Sequence, residues 1–222
     1  MKLVILCGGQ GTRIRDVAEN IPKPMIPVGN NPIVWHIMKY YSTFDIKDFV
    51  LCLGYKKNVI KDFFLNYKPH VQDFTIHLGS EGGMSFYGSL DEDNWNVTLA
   101  DTGLNAMTGA RIRKIKKYIG DDENFMITYG DGLGDVDLNA LMDFHKSHGK
   151  VLTLTGVRPP GRFGELGVAE DGTITAFNEK PQASGGRING GFFIANRKLF
   201  DYLDDGDDLV FEQDPMRKLV AD

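Results

Sequence analysis

Cysteine, positive charge and long apolar runs are in short supply in this chain, and each shortage narrows what it can be. Only Cys7 and Cys52 occur among 222 residues, each inside an apolar, strand-like run. They are expected as buried free thiols in a reducing compartment, not as a disulfide. No apolar stretch approaches the roughly 20 residues of a membrane span. The opening Met-Lys-Leu-Val-Ile-Leu-Cys is broken by glycine too soon for a signal peptide. A cytoplasmic protein that touches no membrane is the expectation. Lysine and arginine number 25 against 30 aspartates and glutamates, a formal net charge of −5. That balance argues against nucleic-acid binding and requires any anion site to be a local gathering of positive groups. Five histidines show no metal-ligand spacing, and His145 and His148 stand three apart without a second pair, so zinc is not expected. No nucleophile elbow supports serine hydrolysis. With 42% hydrophobic residues and 26 glycines, the chain reads as an ordinary globular protein with enough length to bury a core.

What is present begins at residues 3–13, Leu-Val-Ile-Leu-Cys-Gly-Gly-Gln-Gly-Thr-Arg. An aliphatic run reads as a buried strand. The three glycines that follow require backbone that bends sharply or approaches something closely. Consecutive N–H groups in such a loop make an anion-binding concavity, and Arg13 adds a fixed positive charge. A phosphate chain is the natural guest; a plain strand-to-helix turn is the alternative. The spacing is neither that of the P-loop nor that of the dinucleotide fingerprint. Lys23, stiffened between Pro22 and Pro24, can pair with phosphates held by the loop, or stand solvated in a proline turn. Asp131 follows the apolar run Phe125–Tyr129 and Gly130, where an open α/β sheet places its site. A carboxylate there suits Mg²⁺; the alternative is a turn aspartate. Arg111 opens a basic segment whose other cations belong on a solvated face, and beside Gly109 it is the one placed to turn inward.

Along the chain the elements alternate in the βαβ manner. Strands are expected at 2–6, 48–53, 74–78, 125–128 and 151–157. Helical spacing is read at 33–41, with Asn31-Pro32 as cap and first-turn proline, at 59–64, and at 138–145 with Asp137 as cap. Residues 79–110, glycine-rich and carrying the acidic run Asp91-Glu92-Asp93, read as a long excursion that is either functional or a partner contact. Asp171-Gly172 between alternating segments signals a hairpin. It is grouped with a strand at 188–195 in a β-rich lid. The expected fold is α/β, a Rossmann-like, mostly parallel sheet flanked by helices, with a small β-rich lid. One domain, 1–222, divides into an α/β core at 1–157 and a β-rich part at 158–222.

Together these stretches resemble the sugar-1-phosphate nucleotidylyltransferases. Gly8-Gly9-Gln10-Gly11-Thr12-Arg13 with Lys23-Pro24 is similar to that family's nucleotide-binding signature. Tyr129-Gly130-Asp131 resembles its metal-binding strand end, and Glu179-Lys180-Pro181 and Asn189-Gly190-Gly191 its sugar-phosphate motifs. Segments 32–38, 95–99, 101–103, 107–111 and 160–164 resemble the glucose-1-phosphate cytidylyltransferase branch. The resemblance implies that the 1–157 core is nucleotide-binding and that the 158–222 part, with its sugar-binding lid, is sugar-phosphate-binding. It implies transfer of CMP from CTP to α-D-glucose 1-phosphate, with Mg²⁺ as cofactor and a homo-oligomeric assembly. It implies nucleotide contacts at Leu6, Cys7, Gly8, Gly9, Gln10, Gly11, Thr12, Arg13, Lys23, Ala106, Arg111 and Gly130, with Arg111 and the Gly130 backbone reading the base. Arg13, Lys23 and Asp131 would be catalytic, with Asp131 on the metal. Gly164, Glu179, Lys180, Asn189 and Gly190 would bind the sugar phosphate. Two departures stand out. Ala106 replaces a hydroxyl residue of the branch, which leaves the base open and Asn105 or Thr108 as substitutes. The branch's tail, with a second metal-binding aspartate, extends past Asp222, so a nucleotide binder without turnover is the alternative.

Overall fold

Successive residues of a strand point to opposite faces, and β1 (Lys2–Leu6) uses both. Leu3 and Ile5 enter one apolar cluster, while Val4 enters another on the far side. A strand covered on both faces must read as a continuous apolar run, which is what the N-terminus displays. The computed structural model describes residues 1–9, 21–79, 82–158, 165–170, 172–178 and 186–222.

After a single 3₁₀ turn at Lys23–Met25 come the two-residue strands β2 (Pro27–Val28) and β3 (Asn31–Pro32), then α1 (Ile33–Ser42), β4 (Asp48–Leu53), α2 (Lys57–Leu65) and α3 (Tyr67–Val71). A hairpin of β5 (Phe74–Ile76) and β6 (Met84–Phe86) precedes β7 (Asn96–Asp101), α4 (Thr108–Lys114), α5 (Lys116–Ile119) and β8 (Asn124–Tyr129). Next are α6 (Leu138–His148), β9 (Leu152–Val157), β10 (Glu165–Val168), β11 (Ile174–Asn178) and β12 (Ile188–Asn196). A 3₁₀ helix at Arg197–Tyr202 and α7 (Asp214–Ala221) complete the described elements.

The central sheet has the order β7-β4-β1-β8-β12-β9. β7, β4, β1 and β8 pair in parallel, and β12 runs against both of its neighbours. Buried α1 residues Val34, Ile37, Met38 and Tyr41 cover one face, with the Leu138 end of α6. Ile112, Ile115 and Ile119 cover the other, with Leu199 and Phe211. Each such side chain contributes roughly 1.5–3 kcal/mol when fully buried. The chain moves outward from β1 to β4 and β7, then returns to lay β8 on the opposite side of β1. The reversal makes a crevice at the carboxyl ends of β1 and β8, the place where open α/β sheets bind ligands.

Three local readings differ from the sequence expectation. Asn31 and Pro32 pair with Val28 and Pro27, and Pro32 is itself the N-cap of α1 at φ −69°, so neither supplies a side-chain cap. Residues 96–101, read within the 79–110 excursion, form edge strand β7; half-exposed edge positions dilute its apolar signal. Residues 188–195, read with a lid, belong to β12 inside the sheet, and β10 and β11 alone form the separate antiparallel pair. Asp137 caps α6 as expected, its carboxylate accepting from the Asn139 and Ala140 N–H groups at 3.0 Å.

Candidate active site

The crevice holds a cavity of about 600 Å³, within the roughly 300–1,000 Å³ range of ligand sites. Leu6, Cys7, Gly8 and Gly9 form one wall, continuing β1. Tyr129, Gly130 and Asp131 come from the end of β8, Lys23 and Pro24 from the 3₁₀ turn, and 104–108 and Arg111 from the entry to α4. The Gly130 N–H donates to Leu6 O at 3.1 Å, prolonging the β1–β8 ladder to the cavity floor. Pro24 packs against Gly130 so closely that a β-carbon there would lie 2.9 Å from Pro24 Cγ. That contact seats Lys23, whose Nζ stands 3.6 Å from Asp131 Oδ2. The Asp131 side chain is 49% exposed, against 18% for Lys23. A cation and a carboxylate thus face each other at the mouth of a strand-end crevice.

Arg111 turns inward, as expected, and is only 4% exposed. Its Nη1 donates within reach of Leu53 O (3.0 Å), the Thr102 hydroxyl (2.6 Å) and Gly103 O (2.9 Å). Its Nη2 donates to Gly8 O (2.9 Å) and Leu104 O (3.4 Å). Burial draws its pKa down, with Cys52, Cys7, Asp101 and Asp207 opposing, yet a guanidinium stays charged. Both terminal nitrogens are hydrogen-bonded to protein oxygens, and the side chain clamps the Gly8 loop to the 102–104 turn. Burial, reinforced by Cys52 and Asp131 and opposed by Arg111, pushes the Cys7 thiol well up. Cys7 is a protonated, inert part of the wall.

A family model described as Nucleotidyl transferase matches residues 2–220. The chain belongs to that family. It is 49% identical over 220 residues to the glucose-1-phosphate cytidylyltransferase of Salmonella typhi, covering 99% of this chain and 84% of that one. Identity is 32% over 220 residues to the D-glycero-alpha-D-manno-heptose 1-phosphate guanylyltransferase of Aneurinibacillus thermoaerophilus, covering 98% and 84%. Among solved structures, HddC from Yersinia pseudotuberculosis complexed with GMP-PN aligns with a TM-score of 0.67 at 26% identity, covering 98% of this chain and 85% of that one. The sheet is that of the nucleotide-diphospho-sugar transferases.

For this nucleotidyl transferase, the crevice brings together Leu6, Cys7, Gly8, Gly9, Lys23, Ala106, Arg111, Gly130 and Asp131 of the residues expected from sequence. Asn189 reaches the same region from β12, its Nδ2 donating to the Tyr129 hydroxyl at 3.1 Å. Gly190 follows, packed so tightly against Thr155 that a β-carbon would lie 2.6 Å from its Oγ1. Gln10, Gly11, Thr12, Arg13, Gly164, Glu179 and Lys180 lie outside the described residues. Thr108 also lines the cavity, its hydroxyl accepting from the Phe211 N–H (2.9 Å) and donating to Glu212 (2.6 Å). Leu104 lines the cavity without having been singled out, Pro24 and Met107 line it having been read only as parts of motifs, and Tyr129 is a polar part of its wall. Tyr129 carried a usable signal, as the last strand residue before Gly130-Asp131.

Among the described residues no group of three or more His, Cys, Asp or Glu gathers to cage a metal. The single half-exposed Asp131 carboxylate still fits a hard divalent cation. Mg²⁺ is commonly held by one or two carboxylates plus substrate phosphates.

Proposed function

We propose that this nucleotidyl transferase moves CMP from CTP to α-D-glucose 1-phosphate, giving CDP-glucose and pyrophosphate. The observation that carries the reading is Lys23 facing Asp131 beside the Gly8–Gly9 backbone, in a chain 49% identical to the Salmonella typhi cytidylyltransferase. An oxygen of the sugar phosphate attacks the α-phosphorus in line. That O–P bond forms as the bond from the α-phosphorus to the bridging oxygen breaks, and pyrophosphate leaves with the electron pair. The protein's contribution is positioning, together with charge neutralisation where two anions meet. Gly8, Gly9, Gln10 and Gly11 cradle the triphosphate with backbone N–H groups. Lys23 neutralises its phosphates, Arg13 the departing pyrophosphate, and Lys180 the sugar phosphate. Glu179, Asn189 and the Gly190 backbone bind the sugar phosphate, and Gly164 leaves room for the ring. Asp131 would hold Mg²⁺, whose chemistry when bound is to offset phosphate charge. Arg111 fixes the loop under the nucleotide, and base reading rests on the 104–107 backbone around Ala106.

The remaining features support the same setting. Cys7 and Cys52 are both free and buried, as in a reducing compartment. No helix among the described residues is long and apolar enough to cross a membrane. Exposed Phe74, Ile76, Leu78 and Met84 on and beside the β5–β6 hairpin support association with further copies of the chain. A nucleotide other than CTP is the second reading, favoured by Ala106 and by the 32% identity to a guanylyltransferase. Incubation with Mg²⁺, glucose 1-phosphate and each of the four common NTPs, with pyrophosphate as the readout, tests both. Release with CTP alone is expected. Release with UTP, GTP or ATP but not CTP overturns the base assignment, and saturable CTP binding without release overturns turnover.

A further inference from the structure

We infer that Glu212 is a positioning residue for the sugar-phosphate half of the site, orienting the Tyr129 hydroxyl and, through it, Asn189 toward a polyhydroxylated ring. The inference rests on the transfer reading above. An ionised carboxylate only accepts hydrogen bonds, so both of its contacts run toward it. The Tyr129 hydroxyl donates to Oε1 at 2.5 Å, and the Thr108 hydroxyl donates to Oε2 at 2.6 Å. The one phenolic proton of Tyr129 is therefore spent on Glu212, and its oxygen faces the remaining surroundings as an acceptor. Asn189 Nδ2 meets that oxygen at 3.1 Å, while its Oδ1 accepts from the Gly191 N–H at 2.8 Å. The second N–H on Nδ2 has no partner among the described residues. Beside the Lys23–Asp131 pair the chain thus presents a fixed acceptor next to a fixed donor, which matches hydroxyl groups that both donate and accept.

The surroundings hold this arrangement in place. The Tyr129 ring stands edge-on to Phe193 at 5.8 Å, and Phe193 meets fully buried Phe211 at 5.7 Å. Gly191, at φ +82°, leaves the ring its space, since a β-carbon there would lie 2.9 Å from Tyr129 Cδ2. The backbone leading to Glu212 is tied to the entry of α4: Met107 N–H donates to Asp207 O at 2.7 Å and Gly109 N–H to Leu209 O at 2.9 Å. Burial and the Glu212 carboxylate together raise the Tyr129 pKa strongly, so the phenol keeps the proton it donates.

The test compares wild type with Glu212→Ala, Glu212→Gln and Tyr129→Phe, and with the Glu212→Ala/Tyr129→Phe pair. The first measurement finds the NTP that wild type uses, and that NTP serves throughout. Glu212→Ala should raise KM for glucose 1-phosphate about tenfold, the scale of one lost hydrogen bond, with kcat and the nucleotide KM within about twofold. Glu212→Gln, which keeps an acceptor for Tyr129, should recover most of the loss. Tyr129→Phe should add little in the Glu212→Ala background. Equal shifts in both KM values, no shift in either, or additive losses in the pair overturn the inference. For a wild type without turnover, calorimetric Kd values for glucose 1-phosphate and CTP replace the KM values with the same expectations. A wild type that binds neither overturns the transfer reading and this inference together.

Discussion

A guanidinium taken out of water must find acceptors for its N–H groups, because each unmet donor costs about 1–3 kcal/mol or more. Arg111 finds five oxygens, four of them backbone carbonyls from β4, the 102–104 turn and the Gly8 loop. The glycines of that loop therefore do two jobs. A β-carbon on Gly8 would lie 2.2 Å from Arg111 Nη1 and 2.3 Å from Cζ, while one on Gly9 would meet no described residue within 4 Å. Gly8 makes room for the clamp; Gly9 leaves the cavity open to a ligand. Gly8→Ala should lower unfolding stability by about 1–3 kcal/mol through overpacking against a side chain that cannot retreat. Gly9→Ala should stay within about 1 kcal/mol of wild type and weaken CTP binding instead. Urea unfolding and CTP titration of the two variants check this; equal stability losses would remove the division of labour. Sequence reading saw a three-glycine loop and an inward arginine but not their connection, because 103 residues separate Gly8 from Arg111.

The last turn of α6 rests on β9 through a one-way chain of hydrogen bonds. The Lys150 N–H donates to His148 Nδ1 at 2.9 Å, so neutral His148 carries its proton on Nε2 and donates to the Thr153 hydroxyl at 2.8 Å. Thr153 then donates to His145 Nδ1 (2.7 Å), and His145 Nε2 donates to Asn124 Oδ1 (3.3 Å), which also accepts from Asn196 (3.2 Å). The direction requires neutral imidazoles. A helix C-terminus favours a charged histidine, but His145 is 3% exposed, and burial, aided by His148, draws its pKa below the ordinary value. Above an unfolded-state pKa of about 6.5 the full stability is present. As pH falls below it, the unfolded chain takes up a proton that the folded chain refuses, and stability declines until the lower folded pKa is reached. Unfolding free energies at several pH values from 7.5 to 5.5 should show this decline, and His145→Asn should flatten it; an unchanged slope in the variant refutes the assignment. The helix itself was legible, since Asp137 and the Leu138–Leu141–Met142–His145 spacing announce it. The histidine chain was not, because Asn124, Thr153 and Asn196 come from three other strands and share no spacing with it.

Over the whole molecule, alternating strands and helices announce the parallel half of the sheet. The antiparallel β12 does not announce itself, since its apolar run looks the same in a lid as in a core. Only the pairing of Phe192–Asn196 with β8 brings Asn189 within reach of Tyr129. The same topology sets the charge balance of the site: under the proposed function a chain of net charge −5 would receive a triphosphate beside the Asp131 carboxylate. If Mg²⁺ binds as proposed, Asp131 would be a ligand to the shared cation. Without it, the same carboxylate repels the phosphates and occupies Lys23 at 3.6 Å. In Mg²⁺, CTP at a hundred times Kd adds about 2.7 kcal/mol, which for a domain of this size raises Tm by roughly 5–10 °C. Chelation with EDTA should cut that rise sharply in wild type. Asp131→Ala, which removes the repulsion and frees Lys23, should bind CTP more weakly than wild type in Mg²⁺ and more tightly than wild type in EDTA. Tm series for both proteins, with and without EDTA, decide the matter. Parallel losses in the two conditions would mean that Asp131 acts on the fold and not on the charge of the nucleotide.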